Sequence, residues 1–289
     1  MSLKLKHSIF LLLAALIWGF AFAFQSIGGS SMGPCTFNAL RSFLGCLVLM
    51  PVIKLVSGTL KPNRATLKGG VLCGLALCAA CNLQQVGLMY TSPGKAGFIT
   101  TIYMVFVAVF GLFSSRKPSG STLLAVLLGA AGLYFICMPE NEELRMNLGD
   151  LLCIGCAVFY AIQIIIVDRN SEGTDPLKMS AIQFVIAGIG SLILAFVFEK
   201  PMEADIAGGL IPLLYVGIMS TGGAYTLQMV GMRGIDPAAA SLLLSFESVF
   251  SVVGEFVMFG TMLTGKALIG CGIMFIAVLL SQLQPRKDK

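Results

Sequence analysis

Mostly apolar runs, each about the twenty residues that a helix needs to cross a bilayer, follow one another along the whole chain with short polar breaks between them. The pattern predicts ten transmembrane helices. The first five cover roughly 8–27, 34–56, 66–90, 95–113 and 121–138. The second five cover roughly 148–167, 177–199, 206–231, 237–259 and 265–283. The longest link is the acidic stretch Pro139–Asn147, and no connection is long enough for a soluble domain. The expected fold class is an all-α integral membrane protein.

The pattern also repeats. Asn82-Leu83-Gln84-Gln85-Val86-Gly87 with Pro93 matches Thr226-Leu227-Gln228-Met229-Val230-Gly231 with Pro237, at a shift of 144 residues. Trp18 matches Tyr160 and Pro34 matches Pro176, at a shift of 142. One duplicated unit with a small insertion accounts for both shifts. The expected division is a first repeat over 1–139, an outer linker over 140–147 and a second repeat over 148–289. Each unit holds five spans, an odd number, so the copies enter the membrane from opposite sides. Two inverted five-helix repeats follow from parity alone. In such an architecture a site lies near the midplane where the repeats meet, and access alternates.

Charge fixes the orientation. With the N-terminus in the cytoplasm, fourteen of the nineteen Lys and Arg fall in inner segments. Four fall outside (Lys95, Arg145, Lys200 and Lys266), and Arg41 lies within a span. Excess Lys and Arg mark the cytoplasmic side, so both termini are expected there. The outer segments are acidic, with Glu140, Glu142, Glu143, Glu199 and Glu203. The net charge of +5 therefore reflects membrane topology and gives no reason to expect a nucleic-acid partner.

Composition removes other classes. The chain is 57% apolar and 11% charged, where soluble domains carry about 25% charge. A secretory signal peptide is a poor reading of the N-terminus, because the run at 9–24 has a duplicate at 151–167. Nine cysteines include two C-x-x-C spacings, Cys78/Cys81 and Cys153/Cys156, but both lie in apolar helices and His7 is the one histidine. They read as small buried hydrophobes; neither metal nor cofactor is expected. No G-x-x-x-x-G-K-[ST], H-E-x-x-H or G-x-S-x-G occurs, so neither an ATP-driven pump nor an enzyme is expected.

Three charges lie well inside the spans: Arg41, Glu247 and Glu255. Each costs about 2.5–3.5 kcal/mol or more in lipid, so each should face a wet cavity or a partner. Glu247 lies about 15 Å along its helix, near the midplane, and Arg41 about 10 Å from the outer face. Glu247, Ser251 and Glu255 share one helix face. A carboxylate there suits a proton carrier or a grip on a substrate ammonium group, and Arg41 paired with one Glu would be purely structural. A polar and aromatic set accompanies them. Thr221, Tyr225 and Gln228 form a stripe on helix eight; Cys78, Asn82 and Gln85, with Gln84 beside them, form one on helix three. Helix four adds Thr100, Thr101 and Tyr103, helix nine adds Ser241 and Ser245, and Trp18 and Tyr160 sit midspan. Amides and hydroxyls offer both donors and acceptors, suited to a neutral or zwitterionic ligand. The same residues would otherwise only bond helix to helix, at about 0.6 kcal/mol per contact.

The chain also resembles a known family. Ile17-Trp18-Gly19-Phe20 with Pro34 and Arg41-Ser42-Phe43 carry the likeness in the first helices. Leu83-Gln84, Gly87-Leu88, Tyr90-Thr91-Ser92 and Ala96-Gly97-Phe98-Ile99-Thr100 carry it next, then Ala224-Tyr225, Leu227-Gln228 and Phe246-Glu247-Ser248-Val249-Phe250. Together they are similar to the EamA-type, ten-helix branch of the drug/metabolite transporter superfamily, over the whole chain. The resemblance implies secondary transport of small metabolites, mostly export from bacteria across the inner membrane, through a cavity between the two bundles. The family usually ends helix nine with Gly-Glu. Here Gly260-Thr261 stands in that place and Glu255 lies six residues earlier.

The expected function is alternating-access transport of a small polar or amphipathic metabolite, with amino acids or related compounds foremost and export favoured. A proton-coupled importer of a similar compound and a passive pore are the alternatives. The bilayer and the small-molecule substrate are the expected partners. One chain holds both halves, which fits a monomer or a homodimer.

Overall fold

The computed structural model describes residues 3–91, 93–113, 118–137, 146–260 and 265–282. Helices and no strands occur among them. Lipid offers the backbone no hydrogen-bond partners, so helices that satisfy themselves are the expected solution. Eight helices are long and apolar enough to span, and two shorter apolar ones, Gly120–Phe135 and Leu268–Leu280, complete the set. Most of the acidic linker, at 139–145, lies outside the described residues.

The first repeat contains α1 (Leu3–Met32), α2 (Pro34–Ser57), α3 (Arg64–Gly87), α4 (Pro93–Thr101), α5 (Tyr103–Leu112) and α6 (Gly120–Cys137). The second contains α7 (Leu148–Arg169), α8 (Pro176–Phe198), α9 (Leu210–Leu214), a π-helical stretch (Tyr215–Ala224), α10 (Tyr225–Gly231), α11 (Pro237–Leu244), α12 (Glu247–Phe259) and α13 (Gly265–Gln282). Pro34, Pro93, Pro176 and Pro237 each open a helix, where the missing N–H costs nothing.

Packing follows the duplication. Span two (α2) lies along span seven (α8), and span five (α6) along span ten (α13). Span three packs on span six (α3 on α7), and span eight packs correspondingly on span one. Small residues set these crossings, as is usual between helices in lipid. A Cβ on Gly87 would lie 3.0 Å from the Gly149 carbonyl oxygen, and a Cβ on Gly231 3.0 Å from that of His7. Gly149 and His7 are themselves repeat-related by the shift of 142. Large apolar side chains such as Leu47, Leu127 and Phe196 point outward, where lipid would cover them.

Three expected spans are not regular helices. Span four breaks at Ile102, and span nine breaks at Ser245-Phe246, the same register 144 residues on. At each break the backbone takes two short i→i−3 steps: the N–H of Ile102 bonds to Ile99 O at 3.2 Å and that of Val105 to Ile102 O at 2.8 Å, while the N–H of Phe246 bonds to Leu243 O at 3.3 Å and that of Ser248 to Ser245 O at 3.1 Å. In span nine the freed Leu242 carbonyl accepts the Ser245 hydroxyl at 2.7 Å. Ser241 and Ser248 bond back to carbonyls three residues earlier in the same way, a habit that bends helices. Span eight widens into the π stretch, where Gly217, Gly222 and Gly223 weaken α preference.

Spans two and seven are tied at both ends, with roles exchanged. Asp175 caps α8, accepting from Leu177 N at 3.0 Å and Lys178 N at 3.3 Å, and Ser57 at the end of α2 donates to it at 2.7 Å. Burial opposes the charge on Asp175, but these hydrogen bonds outweigh it and hold the carboxyl below its ordinary value. At the other end the cap position is Gly33, with no side chain. Glu199, the repeat equivalent of Ser57, reaches across from α8. It accepts from Cys35 N at 2.7 Å, Thr36 N at 2.9 Å and the Thr36 hydroxyl at 2.7 Å. Gly33 is required here twice over: its φ is +87°, and a Cβ would stand 2.6 Å from Glu199 Oε2. Glu199→Ala is therefore expected to lower stability by about 1–2 kcal/mol, the worth of a helix cap. A fall in the thermal midpoint in detergent, absent in Glu203→Ala, would show it.

Candidate functional site

The two broken helices and the π stretch converge on one space. A narrow cavity lies where the repeats meet, with about 430 Å³ of empty space that includes open solvent. Spans one, two, three, four, six, eight and nine line it. Its wall comes in repeat-related pairs: Trp18 with Tyr160, Phe22 with Ile164, Gln84 with Gln228, Thr100 with Leu244 and Tyr103 with Glu247. A cavity built this way sits on the pseudo-two-fold axis. Gln25, Arg41, Ser220 and Tyr225 line it without a matching partner on the wall.

A polar cluster crosses its middle. The Tyr160 and Tyr225 hydroxyls are 3.0 Å apart, and Tyr160 donates to Gln84 Oε1 at 3.3 Å. Cys81 Sγ, the repeat equivalent of the Tyr225 position, lies 3.4 Å from the Tyr160 hydroxyl and 3.6 Å from that of Tyr225. Gln84 donates in turn to the Thr100 hydroxyl at 3.3 Å. Gln228 and Gln163 exchange two amide hydrogen bonds, each 3.3 Å. The Trp18 ring meets that of Tyr225 edge-on at 4.7 Å, and its indole N–H donates to Ser220 O at 3.3 Å. That carbonyl belongs to the π stretch, where the widened turn carries it onto the cavity wall. Ring faces and edges thus make an aromatic wall beside the polar cluster.

Two charges face this space. Arg41 is 3% exposed and Glu247 5% exposed. Arg41 Nη1 donates to Gln25 Oε1 at 3.0 Å, and its Nη2 is buried with no hydrogen-bond partner. Glu247 accepts from the Thr101 hydroxyl at 3.4 Å. No ion pair joins Arg41 to Glu247, or to any other carboxylate among the described residues.

Of the residues singled out in the sequence, Trp18, Arg41, Gln84, Thr100, Tyr103, Tyr160, Tyr225, Gln228 and Glu247 line the cavity. The rest go elsewhere. Asn82 donates to Ser191 on span seven at 2.7 Å, and Gln85 donates to the Gln25 carbonyl at 2.6 Å, so both join helices. Thr101 supports Glu247, and Ser245 serves the helix break. Thr221 leaves the stripe expected with Tyr225 and Gln228, because the π turn breaks the 3.6-residue period and sets it against Gly45. Ser251 bonds back to Ser248 O. Glu255 lies on α12 with its side chain outside those described, and Thr261 lies outside the described residues altogether. The cavity also recruits Phe22, Gln25, Ile164, Ser220 and Leu244. For Phe22 and Ile164 the repeat shift was a usable signal; for Ser220, a backbone contact, there was none.

Apolar spanning helices, duplicated and packed around a buried polar cavity, make this a multi-pass membrane transporter. The chain belongs to the EamA-like transporter family, which it matches twice, over residues 5–138 and 147–283. An uncharacterized transporter of Archaeoglobus fulgidus is 28% identical over 97% of this chain and 87% of its own length. The threonine/homoserine exporter RhtA of Escherichia coli K12 is 28% identical over 90% of this chain and 88% of its own. The uncharacterized transporter YoaV of Bacillus subtilis is 24% identical over 89% and 92%. A solved crystal structure shares the fold, with a TM-score of 0.81 over 96% of each chain at 18% identity.

The tyrosine pair gives a test. Tyr160→Phe and Tyr225→Phe each remove a hydroxyl from the cavity wall while keeping the ring. Each is expected to leave the thermal midpoint nearly unchanged and to weaken apparent substrate affinity by about 2–10-fold, the worth of one hydrogen bond. Half-saturation constants for transport in proteoliposomes would measure it.

Proposed function

We propose that this protein carries small polar or amphipathic metabolites, amino acids and related compounds foremost, out of the cell by alternating access between its two repeats. The observation that carries this reading is the cavity wall of repeat-related pairs, closed around amides, hydroxyls and aromatic rings at the middle of the bundle. A site on the pseudo-two-fold axis can face either side when the two halves exchange arrangements. The polar wall suits a ligand with both donors and acceptors, and the aromatic wall suits its apolar part. The name of one relative, a threonine/homoserine exporter, supports amino acids and the outward direction. The balance of Lys and Arg supports cytoplasmic termini.

Counterflow tests the reading. Purified protein in proteoliposomes is loaded with unlabelled neutral amino acids, and labelled amino acid is added outside. Uptake is expected to rise several-fold over unloaded vesicles. Uptake without such stimulation would replace the carrier with a pore, and a pH gradient that drives accumulation would replace export with proton-coupled import. Gln228→Ala is expected to raise the half-saturation constant several-fold in the same assay.

A further inference from the structure

The repeat-related pairing of the wall makes its exceptions informative. If the cavity were a plain product of duplication, both copies would present similar side chains. At two positions they differ by a whole charge. Arg41 corresponds to Gln183, and Glu247 corresponds to Tyr103, by the shifts of 142 and 144. Each repeat therefore contributes one charge, of opposite sign, where its sister repeat is neutral.

These charges are held apart. A buried Arg and Glu would normally pair, because each alone is costly in lipid. Here Arg41 is held by Gln25 through Nη1 while Nη2 has no partner, and Glu247 has only neutral neighbours, the Tyr103 hydroxyl beside its carboxylate and the Thr101 hydroxyl at 3.4 Å. Both line the same cavity. Gln25 braces Arg41, and Tyr103 and Thr101 flank Glu247: neutral groups that leave each charge unneutralised. The space between is where a ligand bearing the complementary charges would sit. A guanidinium with a free N–H matches a carboxylate, and a carboxylate matches an ammonium group.

We infer that the cavity selects zwitterions, with Arg41 receiving the carboxylate and Glu247 the ammonium group of an α-amino acid, its side chain lying toward Trp18, Phe22 and Tyr225. The inference rests on the proposed transport function and sharpens it. It makes both charged ends obligatory and fixes the orientation of the bound molecule. A zwitterion also neutralises both buried charges together, so the loaded cavity carries no net charge through the rearrangement. Arg41 and Glu247 are then specificity-determining residues, and the neutral sister position of Arg41 supplies one of the variants that test them.

The experiment is competition in the counterflow assay, using the neutral amino acid that the wild-type protein exchanges best. Two competitors are added outside at equal concentration series: the same compound without its carboxylate, and the same compound without its ammonium group. Both are expected to compete at least tenfold more weakly than the amino acid. Arg41→Gln, which installs the residue of the sister repeat, is expected to lower affinity for the amino acid at least tenfold and to abolish its advantage over the decarboxylated amine. Glu247→Gln is expected to abolish the advantage over the deaminated acid instead. This crossed pattern is one that a merely structural loss would not give. If either competitor matched the amino acid on the wild-type protein, the zwitterion reading would be overturned while transport stood. If the protein exchanged no amino acid at all, the proposed function would fail with it. Should Arg41→Gln not fold, the wild-type competition series still decides.

Discussion

A bilayer supplies no partner for a backbone carbonyl, and the structure turns on how that constraint is met where the helices are irregular. A break inside a spanning helix strands hydrogen-bonding groups that lipid cannot satisfy. In span nine the stranded Leu242 carbonyl is taken by the Ser245 hydroxyl. In span eight the Ser220 carbonyl, carried by the π turn, is taken by the Trp18 indole. Because these groups are satisfied locally, the helices can depart from regularity at midspan. There the departures place Tyr103, Glu247 and Tyr225 around one space. Irregular backbone at membrane depth is tolerated where it lines a cavity, and here it lines one.

The duplication supplies the frame and the differences between copies supply the chemistry. The tie between spans two and seven shows how far the copies have diverged while keeping one task. At one end Asp175 caps its own helix and Ser57 supports it. At the other the cap residue has become Gly33, and the carboxylate has moved to the partner helix as Glu199. The same orphan N–H groups are satisfied at both ends, by residues that sequence comparison alone would not link. The cavity shows the opposite case: a shared position with different chemistry, Tyr103 against Glu247.

Much of the site was legible because its residue types are unusual where they stand. Arg41 and Glu247 are charges inside apolar runs, and Gln84, Gln228 and the midspan aromatics are polar or bulky at duplicated positions. Such residues stand out against lipid-compatible sequence. Asn82, Gln85 and Ser245 stood out for the same reason and point elsewhere, because hydrogen bonding between or within helices draws on the same side chains as ligand binding. A stripe read at 3.6 residues per turn places Thr221 beside Tyr225, and a π turn moves it away. Nothing in the residue types themselves announces that turn beyond a cluster of glycines.

The sequence by itself determined the ten spans, their duplication and, through odd parity, the expectation of inversion. These are consequences of hydropathy and counting, which depend on each residue's own chemistry. Only the tertiary structure decided which polar residues share one cavity and which merely join helices. It alone decided that the cavity wall is built from repeat-related pairs, and that Arg41 and Glu247 face the same space without pairing. Those facts depend on how spans distant in the chain approach one another. That approach is set by glycine crossings and helix breaks whose effect is felt only when two helices meet.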